Sequence, residues 1–147
     1  MIKILFVCHG NICRSPMAEF VLRDMVRKAG LADKIEVASA AVSREEIGSD
    51  IHSGTRRKLK EMGVPFERRA ARQVTKKDMA EYDHVFVMDA SNLRWLRYVV
   101  GKDADKAQPL LPDRDIADPW YTGDFDETWA DIVEGCTALL GKLRREV

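Results

Sequence analysis

The sequence has few cysteines, no excess of charge of either sign and no long apolar stretch. Its 147 residues include three cysteines, which excludes the disulfide framework of a small secreted protein. Lysine plus arginine and aspartate plus glutamate both total 24, so no positive excess is available to hold a nucleic acid. No apolar run approaches the ~18 residues of a membrane span, and the N-terminal pattern is not that of a signal peptide. We therefore expect one domain over residues 1–147, in the reducing cytoplasm, with no nucleic-acid partner and no membrane insertion.

Strand and helix patterns alternate along the chain. Apolar runs predict strands at residues 2–7, 34–40, 84–88 and 108–111, and the proline beside the last strand places it at a sheet edge. Helical spacing of apolar residues predicts helices at 17–29, 51–62, 75–82, 93–100 and 126–145, with a long acidic loop at 112–124. The alternation predicts an α/β fold, an open parallel sheet with helices on both faces. Ligands of such sheets bind at the carboxyl ends of the strands.

The stretch from Cys8 to Ser15 joins the first strand to the first helix. Gly10 and Asn11 tolerate positive φ, so the backbone can curl with its N–H groups turned inward. Ser15 suits the N-cap of the helix, and the proline after it suits the first helical position. A helix N-terminus with inward N–H groups is an anion site, and Arg14 adds a planar fork for two phosphate oxygens. The loop donors are the N–H groups of His9, Gly10, Asn11, Ile12, Cys13, Arg14 and Ser15.

The residue pattern of this loop predicts that Cys8 is a nucleophile beneath a phosphate-binding site. Its field stabilises the thiolate of Cys8, which is then able to attack phosphorus. Arg14 and the loop N–H groups hold the equatorial oxygens as charge shifts onto them. Ser15 can donate its hydroxyl to the thiolate, and Asn11 can hold the loop in a left-handed turn.

When a phosphate ester is cleaved, the leaving oxygen needs a proton, which a carboxylic acid can supply. The residues alone leave Asp113, Asp115 and Asp118 open for this role. Two local features favour Asp118, because the proline after it holds it extended and Trp120 and Tyr121 offer flat apolar surfaces to a phenyl ring.

Four segments together resemble the low-molecular-weight protein tyrosine phosphatases. They are Val-Cys-His-Gly-Asn-Ile-Cys-Arg-Ser-Pro at 7–16, Ala-Arg-Gln-Val at 71–74, Met-Asp-Ala-Ser-Asn-Leu at 88–93 and Asp-Pro-Trp-Tyr at 118–121. The resemblance implies a four-stranded parallel sheet of the phosphotyrosine phosphatase I-like, Rossmann-like kind. It also implies a cysteinyl-phosphate intermediate, no metal and no cofactor.

The same resemblance implies roles for single residues. Asp118 is the general acid and base, and Ser39 and Ser91 help to support the loop. Cys13 is a redox partner that forms a disulfide with Cys8 under oxidants and so protects it. The residue types by themselves are equally consistent with Cys13 as a small buried side chain.

Two positions depart from the family's pattern at the wall of the substrate site. Glu45 stands where an aromatic residue is frequent, and Trp120 stands where tyrosine is frequent, beside Tyr121. We expect the chemistry to survive both changes and Glu45 to disfavour acidic residues near the phosphotyrosine. His9 is expected to line the rim, and the three histidines show no metal-ligand spacing.

The expected partner is a phosphotyrosine-containing protein or peptide, a tyrosine kinase being one candidate, and the expected enzyme is a monomer or weak dimer. One alternative is an arsenate reductase, which needs further redox cysteines where only Cys136 remains. A second is a phosphotyrosine-binding module without turnover, against which Cys8, Arg14 and Asp118 together argue. A third is a phosphocysteine carrier, which leaves Arg14 and Asp118 without a role.

Overall fold

Parallel strands alternate with helices in the computed structural model, which describes residues 1–147. The elements are β1 (Ile2–Cys8), α1 (Arg14–Lys28), β2 (Ile35–Ala41), α2 (Ser53–Glu61), α3 (Lys76–Glu81), β3 (His84–Val87), α4 (Ala90–Val100), a 3-10 helix (Gly101–Lys106), β4 (Gln108–Pro109), α5 (Pro119–Thr122) and α6 (Phe125–Glu146). The four strands form one parallel sheet in the order β2-β1-β3-β4. The predicted fold class is confirmed, with β4 at an edge.

The central strand β1 explains why helices cover both faces of the sheet. Successive side chains of a strand point to opposite faces. Ile4 and Phe6 pack into one apolar cluster with α1, α2 and α6, whereas Leu5 and Val7 pack into a second cluster with α3 and α4. All four side chains are fully buried, as expected for an inner parallel strand.

The strand order places the topological switch point of the sheet between β1 and β3. Parallel strands carry their carboxyl ends at one sheet edge, and ligands bind there, where the order reverses. Cys8 is the last residue of β1, Ala41 ends β2 and pairs with it, and Asp89 follows β3. The fold therefore brings the segments after three strands to one place.

Several boundaries differ from the predicted ones. Strand β4 has only two residues, Gln108 and Pro109, rather than the four predicted. Helix α4 begins at Ala90 rather than at 93, because the Asp89 carboxylate accepts the N–H of Asn92 as an N-cap. The expected loop contains the short helix α5, which Asp118 caps.

Helix α2 buries one of its lysines. Lys58 is only 8% exposed, and its ammonium group donates to Asp126 of α6 at 2.6 Å and to Glu61 at 3.3 Å. Met62, an apolar residue directly after the helix, is 46% exposed. None of the helices is both long enough and apolar enough to cross a membrane.

Candidate active site

The loop between β1 and α1 carries a row of backbone donors that have no protein acceptor. The N–H groups of residues 9–14 donate no hydrogen bond to any protein acceptor, although Asn11, Cys13 and Arg14 are buried. Asn11 has a left-handed backbone, with φ 60°, and Gly10 does not, so only half of that expectation is met. Unpaired donors at the start of a helix are suited to bind an anion, and the phosphate site itself stays a prediction.

Cys8 lies at the centre of this loop. Its Sγ is 3.0 Å from Ser15 Oγ and accepts the backbone N–H of Ser15 at 3.4 Å. Helix α1 begins at Arg14, with Cys13 at the N-cap, so the prediction that Ser15 caps the helix is wrong. Ser15 lies inside the first turn, where its hydroxyl contacts sulfur instead.

A directed chain of hydrogen bonds fixes the hydroxyl of Ser15. The Asn11 amide donates from Nδ2 to Ser15 Oγ at 2.8 Å and to Ser39 Oγ at 2.9 Å. Ser39 in turn donates to the carboxylate of Glu19 at 2.6 Å. Because Ser15 Oγ already accepts from Asn11, its own hydrogen is available for the sulfur of Cys8.

Two arginines hold the strained part of the loop from outside. The guanidinium of Arg69 donates to the carbonyl oxygen of Asn11 and to that of Ser49 at 3.2 Å. The backbone N–H of Arg72 donates to Asn11 Oδ1 at 3.4 Å, which agrees with the amide orientation that the serines require. Burial lowers the pKa of Arg69, although nearby Glu19 acts in the opposite direction.

Arg14 is 2% exposed and is held by three groups. Its Nη1 donates to Asp89 Oδ2 and to the carbonyl oxygen of Ile116, both at 2.7 Å, and its Nη2 donates to Asp118 Oδ2 at 3.4 Å. Burial alone would lower its pKa, but the charges of Cys8, Asp89 and Asp118 outweigh burial and raise the pKa. The guanidinium is therefore permanently charged and fixed beside the loop donors.

Of the three aspartates left open by the residue types, only Asp118 contacts Arg14. Asp113 pairs with exposed Arg114, and Asp115 accepts the N–H of Ala90 at the start of α4. Asp118 Oδ1 accepts the N–H of Trp120 at 3.1 Å, which leaves Oδ2 beside the site.

Hydrogen bonds to two other parts of the chain anchor the segment before Asp118. Ile116 is fully buried and donates its N–H to the carbonyl oxygen of Met88 at 2.9 Å. The hydroxyl of Thr128, on α6 and fully buried, donates to the carbonyl oxygen of Ala117 at 3.1 Å. These bonds fix the backbone directly before Asp118.

A cavity of about 120 Å³ opens over the loop. Its lining contains most of the predicted rim and wall residues: His9, Gly10, Ile12, Glu45, Glu46, Asp118, Trp120 and Tyr121. Glu45 Oε2 is 2.8 Å from His9 Nε2, and the ring of His52 meets Trp120 edge-on at 5.6 Å. Glu45, Trp120 and Tyr121 thus lie around one cavity, while their effect on substrate choice stays a prediction.

The remaining predicted residues divide between the loop and its surroundings. Ser39 contacts Asn11 as described, but Ser91, in the first turn of α4, makes no side-chain hydrogen bond. All three cysteines are free thiols. Burial above all, then the charges of Cys8 and Asp118, raise the pKa of Cys13 to about 12, and burial raises the pKa of Cys136. The protective disulfide stays a prediction.

The structure adds supporting residues that the sequence did not reveal. Asp89 contacts Arg14, Arg69 contacts the loop and Thr128 contacts the segment before Asp118, whereas Glu19 acts one step further back, through Ser39. Asp89 had a local signal, since an aspartate before a helix often serves as its N-cap. No group of three or more histidine, cysteine, aspartate or glutamate side chains is arranged to hold a metal ion.

Comparisons with known proteins agree with this geometry. The model of the family described as low molecular weight phosphotyrosine protein phosphatase matches residues 3–147. The Bacillus subtilis low molecular weight protein-tyrosine-phosphatase YfkJ is 42% identical over 153 residues, covering 99% of this chain and 98% of that protein. Its crystal structure matches with a TM-score of 0.93 at 41% identity, over 99% of this chain and 96% of that chain.

Two more distant relatives extend the comparison. The human low molecular weight phosphotyrosine protein phosphatase is 38% identical over 150 residues, covering 95% of this chain and 94% of that protein. Vibrio vulnificus Wzb, solved in complex with benzylphosphonate, matches with a TM-score of 0.85 at 29% identity, over 96% of this chain and 98% of that chain.

Proposed function

Because the chain belongs to the low-molecular-weight phosphotyrosine protein phosphatase family, we propose that it hydrolyses phosphotyrosine through a phosphate ester of Cys8. The observation that carries this proposal is the thiol of Cys8, which accepts the N–H of Ser15 at the start of a loop whose other backbone N–H groups are unpaired and whose Arg14 is buried. The family match over residues 3–147 supports the whole chain acting as one phosphatase domain.

In the first step, the thiolate of Cys8 attacks phosphorus and the bond to the tyrosyl oxygen breaks. The N–H groups of residues 9–14 and the guanidinium of Arg14 bind the three non-bridging oxygens and stabilise the charge that develops on them. Arg14 is already fixed by Asp89, so little reorganisation is needed when phosphate arrives.

Asp118 supplies the proton that the leaving oxygen requires. Its Oδ2 lies on the cavity side, near Arg14, and its backbone is held by contacts to α6 and β3. A tyrosine leaving without this proton would depart as a phenolate, whose conjugate acid has a pKa of about 10. The same carboxylate then takes a proton from the water that attacks the phosphocysteine.

In the second step, Cys8 is the leaving group and its sulfur regains negative charge. The hydroxyl of Ser15, 3.0 Å away and oriented by Asn11, stabilises that charge. One chain of hydrogen bonds therefore supports both the attacking and the departing sulfur.

The proposed substrate is a phosphotyrosine-containing protein or peptide. The proposed enzyme is a monomer or weak dimer that acts in the cytoplasm. Benzylphosphonate, which Vibrio vulnificus Wzb binds, combines an aromatic ring with a phosphonate and so resembles phosphotyrosine. The narrow cavity of about 120 Å³, walled by Trp120 and Tyr121, suits a single aromatic ring above the loop.

The test is hydrolysis of p-nitrophenyl phosphate and of a phosphotyrosine peptide in the presence of EDTA. We expect turnover by the wild type, none by Cys8→Ser and a large loss in Asp118→Asn, most severe for the peptide, which has the poorer leaving group. Phosphate binding without turnover in the wild type would instead indicate a binding module. Thiol consumption that depends on arsenate would indicate an arsenate reductase.

A further inference from the structure

A second groove, of about 460 Å³, adjoins the catalytic cavity. Glu45 lines both spaces, so they share a wall. We refer to this space as the side groove; its principal lining residues are Val42, Arg44, Glu45, Gln73, Trp95 and Tyr98. A polypeptide leaving the cavity over Glu45 enters the side groove directly.

The side groove has an exposed aromatic wall. Trp95 is 44% exposed and Tyr98 is 86% exposed, and their rings meet edge-on at 6.3 Å on the outer face of α4. The ring of His9 meets Trp95 at 5.7 Å, which joins this wall to the rim of the catalytic loop. Exposed aromatic side chains of this kind are enriched where proteins bind other polypeptides.

Two arginines beside these rings have no partner within the protein. Arg44 lines the side groove, and Arg94 lies on the other flank of Trp95 and Tyr98, in a cavity of about 420 Å³. Neither forms an ion pair, whereas the nearby carboxylate of Glu45 is engaged by His9. Two guanidinium groups without a carboxylate partner therefore flank the aromatic wall, and they are complementary to the carboxylates of a ligand.

We propose that the side groove and Arg94 bind the acidic segment of the substrate that flanks its phosphotyrosine. This inference rests on the proposed function. An extended chain advances about 3.3 Å per residue, so the first few flanking residues reach the groove once the phosphotyrosine ring is in the cavity. Their carboxylates face Arg44 and Arg94, and an apolar side chain packs on Trp95 and Tyr98. The preference is opposite in sign to that expected from Glu45 alone, because the two unpaired arginines outnumber that single carboxylate along the path of the flanking segment.

The experiment compares kcat/KM for two phosphotyrosine peptides of equal length, one with acidic and one with serine and glycine flanks. p-Nitrophenyl phosphate, which has no flanks, is the internal reference. The test variant is Arg94→Glu. The matched control is Arg97→Glu, which makes the same charge change on the same helix, but Arg97 faces Asp105 at 3.8 Å and lines neither cavity.

We expect the wild type to favour the acidic peptide and Arg94→Glu to lose about three- to tenfold in kcat/KM for that peptide. This range corresponds to exposed ion pairs of the usual strength, with added repulsion from the new carboxylate. Arg97→Glu should keep the preference, and high salt should reduce it in the wild type. Tyr98→Ala should lower kcat/KM for both peptides and leave p-nitrophenyl phosphate unaffected.

Equal rates on the two peptides in the wild type would overturn the inference, as would an equal loss of preference in Arg94→Glu and Arg97→Glu. If wild-type enzyme turned over neither the peptides nor p-nitrophenyl phosphate, the proposed function itself would be wrong. The two failures are therefore distinguishable in one set of assays.

Discussion

The hydroxyl of Ser15 is the group through which the chain of hydrogen bonds acts on sulfur. Ser15→Ala removes a donor 3.0 Å from Cys8 Sγ at a site where Ser15 is fully buried and Cys8 is 3% exposed. A hydrogen bond to a charged acceptor contributes about 1.5–3 kcal/mol. With about 1.4 kcal/mol per factor of ten, the step that returns negative charge to sulfur should slow roughly 10- to 100-fold.

The affected step is breakdown of the phosphocysteine, in which Cys8 leaves. Stopped-flow measurement of p-nitrophenol release should therefore show a burst equal to the enzyme concentration in Ser15→Ala, followed by a slow steady state. Ser39→Ala is the graded control, because Ser39 contacts Asn11 rather than sulfur and should slow turnover less. A steady-state kcat for Ser15→Ala within about twofold of wild type, in a protein shown to be folded by its thermal melt, would show that the hydroxyl does not stabilise the departing sulfur.

Three further predictions follow from the same contacts. Thr128→Val removes a hydrogen bond of about 1 kcal/mol that holds the backbone before Asp118. Because Asp118 protonates the leaving oxygen, kcat should fall several-fold for phenyl phosphate but little for a dinitrophenyl ester, whose leaving group hardly needs the proton. Thr128→Ser should retain activity, and equal losses on both esters would contradict this prediction. Burial raises the pKa of Cys13 to about 12, so brief treatment with iodoacetamide at neutral pH should modify Cys8 and leave Cys13 unmodified. Peptide mass spectrometry measures the modified sites, and an alkylated Cys13 would contradict this prediction. Hydrogen bonds from an arginine and within the capping box of α3 lower the pKa of Asp78, although burial acts in the opposite direction. Denaturant melts should therefore show Asp78→Asn less stable than wild type at neutral pH, and this difference in stability should shrink as the pH falls below 3.8 and through the lowered pKa. A difference in stability that does not change with pH would refute the assignment.

The fold and the catalytic loop were predictable because their signals are local. Strand β1 is a continuous apolar run, and the donors of the loop follow it within a few residues. A contiguous motif of this kind carries its own geometry, since one left-handed residue, Asn11, and one helix start are enough to turn the N–H groups inward.

The supporting contacts were not predictable because they join distant parts of the chain. Asp89 meets Arg14 across 75 positions, and Lys58 is buried only because Asp126 reaches it from α6 across 68 positions. Helical periodicity alone places a lysine on the solvent face, and only the tertiary partner reverses that assignment.

Helix α5 is an intermediate case, since its signal was present in the sequence. Asp118 precedes Pro119, which is the usual order of an N-cap and a first helical residue. The prediction used Asp118 only as an acid and Pro119 only as a constraint. The structure shows that the carboxylate has both a capping contact and a contact with Arg14, one from each oxygen.

The central claim is that Cys8 carries the phosphoryl group between the two steps. The most direct measurement is rapid acid quench of wild type and Ser15→Ala during turnover of p-nitrophenyl phosphate, followed by mass spectrometry of the peptide that contains residues 1–14. We expect one phosphoryl group on Cys8, in larger amount in Ser15→Ala, and none in Cys8→Ser. Rapid turnover without any phosphorylated Cys8, or a phosphoryl group on another residue, would contradict it.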